Sequence, residues 1–302
     1  MQIIEDQDKI RRKAELDLKN YGDFPDHNIY YLFFDEQPEE YKPVYLDFGD
    51  RGGALTFFKD HIWKIPFPPI IDKVKELSCL REMMEYISGR KDITKIMFLD
   101  CKKEARKSIL GMAPDLGWKA SVPSFVSWWP VYDLAKFDEK LEGKKWRKLR
   151  KSKNYFTKHY QIEKIEAVKA DKKGLEDLVW KWKKHKDGEE IMECEPYLRF
   201  IKAGFPGCEL SKAFLINGKP AALFAGWGIP NSRTFYPSIS IRDYDYDGLG
   251  EYMSLEMFFE AKKAGFEKLD FGGSDKKLLI FKKRFHPEHI YKAYNFSLVK
   301  NK

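Results

Sequence analysis

Several quick class markers are missing from this chain. It has four cysteines in 302 residues (Cys79, Cys101, Cys194 and Cys208), none close to another and none in a C-x-x-C pair. Its six histidines do not stand beside them at zinc spacing. No metal site is expected, and the thiols read as reduced, as in a cytoplasmic protein. No apolar run approaches the roughly 18 residues needed to span a bilayer. Residues 1–20 are charged throughout, unlike a signal peptide. A peripheral contact with an anionic membrane stays open. An acidic excess is also lacking: 55 Lys and Arg against 47 Asp and Glu give a net charge of +8. That balance favours an anionic partner (nucleic acid, a phosphate-bearing co-substrate or an acidic membrane) without requiring one.

What is present is core material. Hydrophobic residues make up 43% and aromatics 16%, enough for two domains at this length. A charged helix is expected over 5–20, then three aromatic-rich strands over 28–34, 43–48 and 53–58. A proline-broken stretch, Ile65-Pro-Phe-Pro-Pro-Ile, precedes a helix over 71–87. A strand over 94–99, a helix over 102–110 and an extended run over 118–126 complete the first half. A junction (127–140) leads to a basic helix over 141–156 and another helix over 175–182. Strands over 213–216 and 221–227 flank Asn217-Gly218, a type I′ hairpin signal. A third strand, 233–241, contains Pro237, which marks an edge or bulge. A helix over 251–263, a strand over 267–271, a helix over 276–285 and a strand over 291–299 follow.

The two halves share one order, β-β-β-α-β-α-β. This predicts α/β architecture with mixed sheets in two domains of one design, residues 1–130 and 131–302. They differ before the long helix. The second half has Gly248-Leu-Gly250 there, and the first has Pro66-Phe-Pro-Pro69. Glycine lets a backbone curl round a phosphate or carbonyl, whereas proline removes the N–H donors. The donor site is therefore expected in the second half, and the first half is expected to be degenerate or acceptor-binding. Asp247, Gly248, Leu249, Gly250, Glu251 and Tyr252 form the candidate cradle, with the amides of Glu251 and Tyr252 facing the ligand. An ordinary glycine turn is the plain alternative.

Four segments carry a family likeness: Leu141-Glu-Gly-Lys-Lys-Trp-Arg-Lys-Leu-Arg-Lys-Ser-Lys, Tyr246-Asp-Gly-Leu-Gly-Glu-Tyr, Gly265-Phe-Glu-Lys-Leu-Asp-Phe-Gly-Gly and Phe281-Lys-Lys-Arg-Phe. In this order they resemble the tandem-GNAT proteins: the FemAB peptidyltransferases and the phosphatidylglycerol lysyltransferase C-terminal type. The resemblance implies two tandem GNAT-like domains. It also implies transfer of an acyl or aminoacyl group to an acceptor amine, from acyl-CoA or aminoacyl-tRNA as co-substrate with no tightly bound cofactor. In that family a splayed strand admits the donor arm, so Tyr236 and Ser238 would flank the opening beside Pro237. Lys282 fills the Phe-Lys position and would stabilise the oxyanion. Asp270 would take the amine proton or orient the acceptor. The family's CoA pattern places Arg or Gln three residues before its Gly-x-Gly. Here Arg242 lies six before Gly248, and Asp243, Asp245 and Asp247 would repel a pyrophosphate, which moves weight toward an aminoacyl donor.

Seven of the ten residues from Lys144 to Lys153 are Lys or Arg. Trp146, Leu149 and Phe156 form an apolar seam; Lys144, Lys145, Arg147, Lys148, Arg150 and Lys151 make a cationic face. That face suits a tRNA backbone, a phospholipid headgroup or a nucleotide, or is simply solvated. Leu278, Phe281 and Phe285 read as core, leaving Lys282 and Lys283 beside that stripe. Ser274 is a candidate N-cap, and Glu193 and Glu195 are candidates to face an acceptor amine. A different class of function competes: a non-catalytic GNAT-fold module that binds RNA or an anionic membrane surface.

Overall fold

A computed structural model of the chain describes residues 1–34, 41–186 and 194–301. The first half begins with β1 (Gln2–Ile4), α1 (Gln7–Tyr21) and α2 (Ile29–Phe34). Then come β2 (Lys42–Asp47), β3 (Gly52–Lys59), β4 (Ile62–Ile65), β5 (Ile70–Ile71) and α3 (Glu76–Gly89). It continues with β6 (Lys95–Lys102), α4 (Lys103–Met112), β7 (Trp118–Ala120) and β8 (Phe125–Asp133). The second half opens with α5 (Arg147–His159), β9 (Ile162–Glu166), α6 (Lys172–Lys186) and α7 (Glu195–Ala203). It ends with β10 (Leu210–Ile216), β11 (Lys219–Gly228), β12 (Thr234–Arg242), α8 (Leu249–Lys263), β13 (Lys268–Asp270), α9 (Lys276–Lys283) and β14 (His289–Lys300).

The fourteen strands among the described residues join one mixed sheet, ordered β1-β2-β3-β4-β6-β14-β8-β13-β12-β11-β10-β9, with β5 on β3 and β7 on β14. The halves exchange strands. β14, last in the chain, pairs with β6 of the first half, and β8 of the first half pairs with β13 of the second. Residue 130 lies within β8. Both faces of the sheet are covered. In β2, Val44 and Leu46 enter the core under α3 and α4, while Tyr45 enters the one under α1. In β11, Ala222 and Phe224 face α5 and α8, while Leu223 and Ala225 face α6 and α7. This period of two is the strand signature read out as burial.

The repeated order holds with one exchange. Residues 29–34 form a helix, not the expected strand. Asn28 decides this: its side chain accepts from the amides of Tyr30 at 2.9 Å and Tyr31 at 3.2 Å, capping a turn that aromatic content alone would have made a strand. β4 takes the missing strand's place. The basic helix begins at Arg147, so Lys144 and Lys145 precede it. Asn217 and Gly218 both have positive φ (51° and 73°), as a type I′ turn requires.

Candidate active site

β12 and β13 pair in parallel at two positions, Thr234↔Lys268 and Phe235↔Leu269, and then part. On the other side β12 slips register against β11 around Pro237, where Tyr236 faces Trp227 and Ile239 faces Ala225. The expected bulge is there, and so is the splay. A cavity of about 360 Å³ fills the gap. Tyr236, Ser238 and Arg242 line it from β12, and Met253 and Ser254 from α8. The turn after β13 and Lys282 of α9 close one side. The first half supplies Asp26, Asp100, Ser127 and Trp129.

Lys282 is buried, with 6% of its surface exposed. Its ammonium donates to the carbonyls of Phe271, Gly272 (3.0 Å) and Gly273 (3.2 Å). The turn can take this shape because Gly272 adopts φ +77°, and a Cβ there would stand 3.2 Å from the Tyr236 ring. Asp270 braces the same turn from behind: its carboxylate accepts from the Gly272 amide at 3.0 Å and from the Tyr291 hydroxyl at 2.7 Å. Burial pushes the Asp270 carboxyl up to about 6, against those hydrogen bonds and the Lys282 charge. Asp270 faces a separate groove with Lys102, His289 and Lys292 and does not line the Lys282 cavity.

The glycine turn before α8 is built differently from a free phosphate cradle. Gly250 is the floor for Arg242: a Cβ there would meet the guanidinium Nη1 at 1.8 Å. The guanidinium also lies 4.5 Å from the Tyr244 ring centre and 5.3 Å from that of Phe281. Among the described residues it has no hydrogen-bonded acceptor and no salt bridge. Gly248 packs on Ser152 and Phe156 of α5. Leu249 is core, and Tyr252 packs at a tilt on Phe156, its amide donating to the Gly248 carbonyl at 3.0 Å. Glu251 pairs with Arg284, and Asp247 is exposed. Of the expected cradle, only Gly250 touches the cavity, through Arg242. Asp243 and Asp245 do not stand unopposed: Lys181 of α6 reaches both carboxylates at 2.6 Å.

Part of the cavity lining is acidic and aromatic. Asp100 lies near the carboxyl end of β6 with φ +43°, its amide donating to the Asn295 side chain at 2.8 Å. The Ser127 hydroxyl donates to its carboxylate at 3.3 Å, and the Trp129 indole to that hydroxyl at 2.8 Å. Desolvation raises the Asp100 carboxyl to about 6. Asp26 is buried and lines the same cavity. Acids in one cavity with Trp129 and Tyr236 suit an ammonium group.

Known proteins share this fold. Residues 45–296 match the family described as phosphatidylglycerol lysyltransferase, C-terminal. The chain belongs to that family. No curated protein matches. Among solved structures, the chain is similar to the C-terminal domain of a putative lysylphosphatidylglycerol synthetase from Agrobacterium fabrum. The identity is 15% and the TM-score 0.67, covering 98% of this chain and 92% of that one. FemX is similar at 13% identity and TM-score 0.65, over 100% and 98%. A tandem GNAT protein from the clavulanic acid biosynthesis pathway is similar at 9% and 0.57, over 99% and 98%. The fold is thus of the tandem-GNAT kind. Family and neighbours together support an aminoacyltransferase role in general terms.

Within this family member, the remaining residues fall as follows. The seam of Trp146, Leu149 and Phe156 is buried as expected. Lys144, Lys145, Arg147, Lys148 and Lys151 are exposed, and none has an acidic partner among the described residues. Arg150 instead turns back to the carbonyls of Leu141 and Gly143. On α9 the buried stripe is Leu279, Lys282 and Phe285; Leu278 is 37% exposed at the cavity edge. Asp275, not Ser274, caps α9, accepting from the Leu278 amide at 2.6 Å. Glu195 is exposed at the start of α7, and Glu193 lies outside the described residues. Asp26 and Asp100 were not expected at the site from sequence. An acid at the carboxyl end of a central strand was a usable signal for Asp100, since ligands of open α/β sheets gather there. No helix among the described residues is long and apolar enough to cross a membrane.

Proposed function

We propose that this chain moves an aminoacyl group from the ester of an aminoacyl-tRNA to an acceptor amine, in the cavity between β12 and β13. The observation that carries this reading is the pairing of opposite chemistries in one cavity. The Arg242 guanidinium, unpaired among the described residues, and the acids Asp26 and Asp100 line the same cavity. Arg242 suits a phosphodiester next to the donor's ester. The acids suit an amine, and Asp100, raised to about 6, suits the proton that the amine gives up. The amine nitrogen attacks the ester carbonyl carbon, the C–O bond to the ribose breaks, and the ribose oxygen leaves with a proton. Lys282 rigidifies the 271–273 turn and sets a positive charge beside the carbonyl as it becomes an oxyanion. Asp270 holds that turn from the opposite side.

Acyl-CoA is the other donor of the same class. Arg242 over Gly250 occupies the place where a pyrophosphate would meet the helix amides, which favours the ester of a tRNA. The exposed cations of α5 favour it too, because α5 packs against Gly248 at the start of α8. Those same cations support a second reading, a non-catalytic module that binds RNA or an anionic membrane surface. The family is described by its action on phosphatidylglycerol, whose free nucleophile is a hydroxyl, so acceptors of both kinds belong in the test.

The test is transfer from radiolabelled aminoacyl-tRNA, with acetyl-CoA in parallel, to panels of amine and hydroxyl acceptors. Labelled product from the tRNA, lost in Arg242→Ala, is the expected result. Product from acetyl-CoA alone would move the donor to CoA, and product only with hydroxyl acceptors would overturn the amine. Salt-dependent tRNA or vesicle binding with no transfer from either donor would leave the non-catalytic reading.

A further inference from the structure

The first half has the same gap as the second. β4 and β6 pair in parallel from Ile62↔Lys95 to Ile65↔Phe98, after which the chain leaves through Pro66, Phe67, Pro68 and Pro69. Behind the gap lies a cavity of about 190 Å³. Ile65, Phe67, Leu80, Met83, Phe98 and Ile109 make its wall. All six are 5% exposed or less. Charge stands only at the mouth, where Asp23 meets Lys73 at 3.0 Å and Lys102 at 3.2 Å. Glu76 is beside them, its carboxyl raised by burial.

The interior of this wall cannot hold a phosphate. Pro68 and Pro69 in its lining offer no N–H, and the two cations that line it, Lys73 and Lys102, stand with Asp23 at the rim. The seventh residue of α9 is Lys282; the seventh of α4 is Ile109. Nor is the space a packing fault of ordinary size. Protein interiors leave few voids larger than a water molecule. An engineered apolar cavity of roughly 150 Å³ already takes up benzene. A dry wall with an ion-paired rim is the shape that fits a hydrocarbon tail carrying a polar head.

We propose that the first-half cavity binds the alkyl end of an amphiphile, with the head held at the Asp23–Lys73–Lys102 rim. The site is independent of the transfer reaction, and its test reads binding alone. Isothermal titration of the full chain with 1-octanol is expected to saturate at one site. 1,8-Octanediol, with a hydroxyl at both ends, is expected to bind at least tenfold more weakly. Leu80→Trp fills the cavity and is expected to reduce octanol affinity at least tenfold. Ala105→Leu, on the same wall, serves if the first variant fails to fold by circular dichroism. Comparing octanoate with monomeric dihexanoylphosphatidylcholine distinguishes a free acid from a phospholipid tail as the source, and tighter binding of either supports the site. No saturable octanol binding, equal binding of the diol, or unchanged affinity in a folded filling variant would overturn it.

Discussion

The two gaps in this sheet are topological equals with opposite chemistry. The first, between β4 and β6, is walled by aliphatic and aromatic side chains from residues 65–109. The second, between β12 and β13, is lined by Arg242, Lys282, Asp26, Asp100 and several hydroxyls, drawn from residues 26–295. The difference lies partly in local residues: proline against glycine before the long helix, isoleucine against lysine in the short one. It also lies in the strand exchange. β8 and β14 carry Ser127, Trp129 and Asn295 into the second cavity, so the first half completes a site it does not contain. Splaying two parallel strands makes the opening, and the side chains delivered to it decide what enters.

That contrast is most exposed at Lys282. Lys282→Met should lower turnover by about 10²–10³-fold, the scale of losing one preorganised charge at a developing oxyanion. It should also cost about 2–3 kcal/mol of stability, because three buried carbonyls lose their donor. Chemical denaturation beside single-turnover assays separates the two. Full turnover in a destabilised protein would make Lys282 a brace for the turn and leave the second gap without its distinguishing charge.

The acid that braces the second gap's turn from behind and an acid at the first gap's rim should respond to pH with opposite sign. Asp270 has a folded pKa raised to about 6 against an ordinary value near 4, so the fold favours its protonated form. Its contribution is fully present below about pH 4 and is lost as pH rises through 6, by up to about 3 kcal/mol. Asp270→Asn should remove that decline while keeping the turn's hydrogen bond. Asp23 lies at the first gap's rim. Burial raises its carboxyl, but Lys102, His27 and Lys73 outweigh this and leave it lowered. Its contribution is present above about pH 4 and lost as pH falls further. Urea unfolding of wild type, Asp270→Asn and Asp23→Asn between pH 3 and 7 checks both. Parallel curves for all three would erase the contrast.

Gly250 gives a smaller and sharper test. Gly250→Ala places a methyl where the Arg242 guanidinium now lies, at 1.8 Å from Nη1. If that guanidinium is the donor's anchor, Gly250→Ala and Arg242→Ala should each weaken donor binding by about 10–30-fold, a charge-assisted hydrogen bond's worth. Together they should do little more than either alone. Additive losses would mean that Gly250 meets the ligand itself.

Much of this was legible in the chain and some was not, for physical reasons. Asn217-Gly218, the bulge at Pro237 and the seam of Trp146, Leu149 and Phe156 are local signals, set by backbone stereochemistry or by period. The repeated element order followed from them. Residues 29–34 misled because aromatic runs suit strand and helix alike, and a single Asn28 side chain arbitrates. The face of α9 misled for another reason. Apolar periodicity assumes that lysine faces water, and Lys282 is buried because a turn eleven residues earlier in the chain aims carbonyls at it. The Gly-x-Gly drew attention correctly to its region, but for Gly250 the partner is Arg242. Asp26 joins the cavity only through long-range packing between the halves, which no local pattern encodes, whereas Asp100 had its place near the end of a central strand as a signal.

The smallest expected effect concerns the rims. The second gap's rim is extended by α5, where Arg147, Lys148 and Lys151 are exposed and unopposed by acids among the described residues. The first gap's rim lysines, Lys73 and Lys102, are tied to Asp23. If α5 tracks a nucleic-acid backbone, the triple change Arg147→Gln, Lys148→Gln, Lys151→Gln should weaken tRNA binding about tenfold at moderate salt. It should also lower the slope of log affinity against log salt by about 2–3, roughly one for each phosphate left without its cation. Folding should be unaffected, since none of the three side chains is buried. A matched triple in the first half, Lys73→Gln, Lys75→Gln, Lys103→Gln, removes the same net charge from that half. It should leave both affinity and slope unchanged if position rather than total charge matters. Equal losses from the two triples, read by filter binding across a salt series, would reduce α5 to one part of a diffuse positive field.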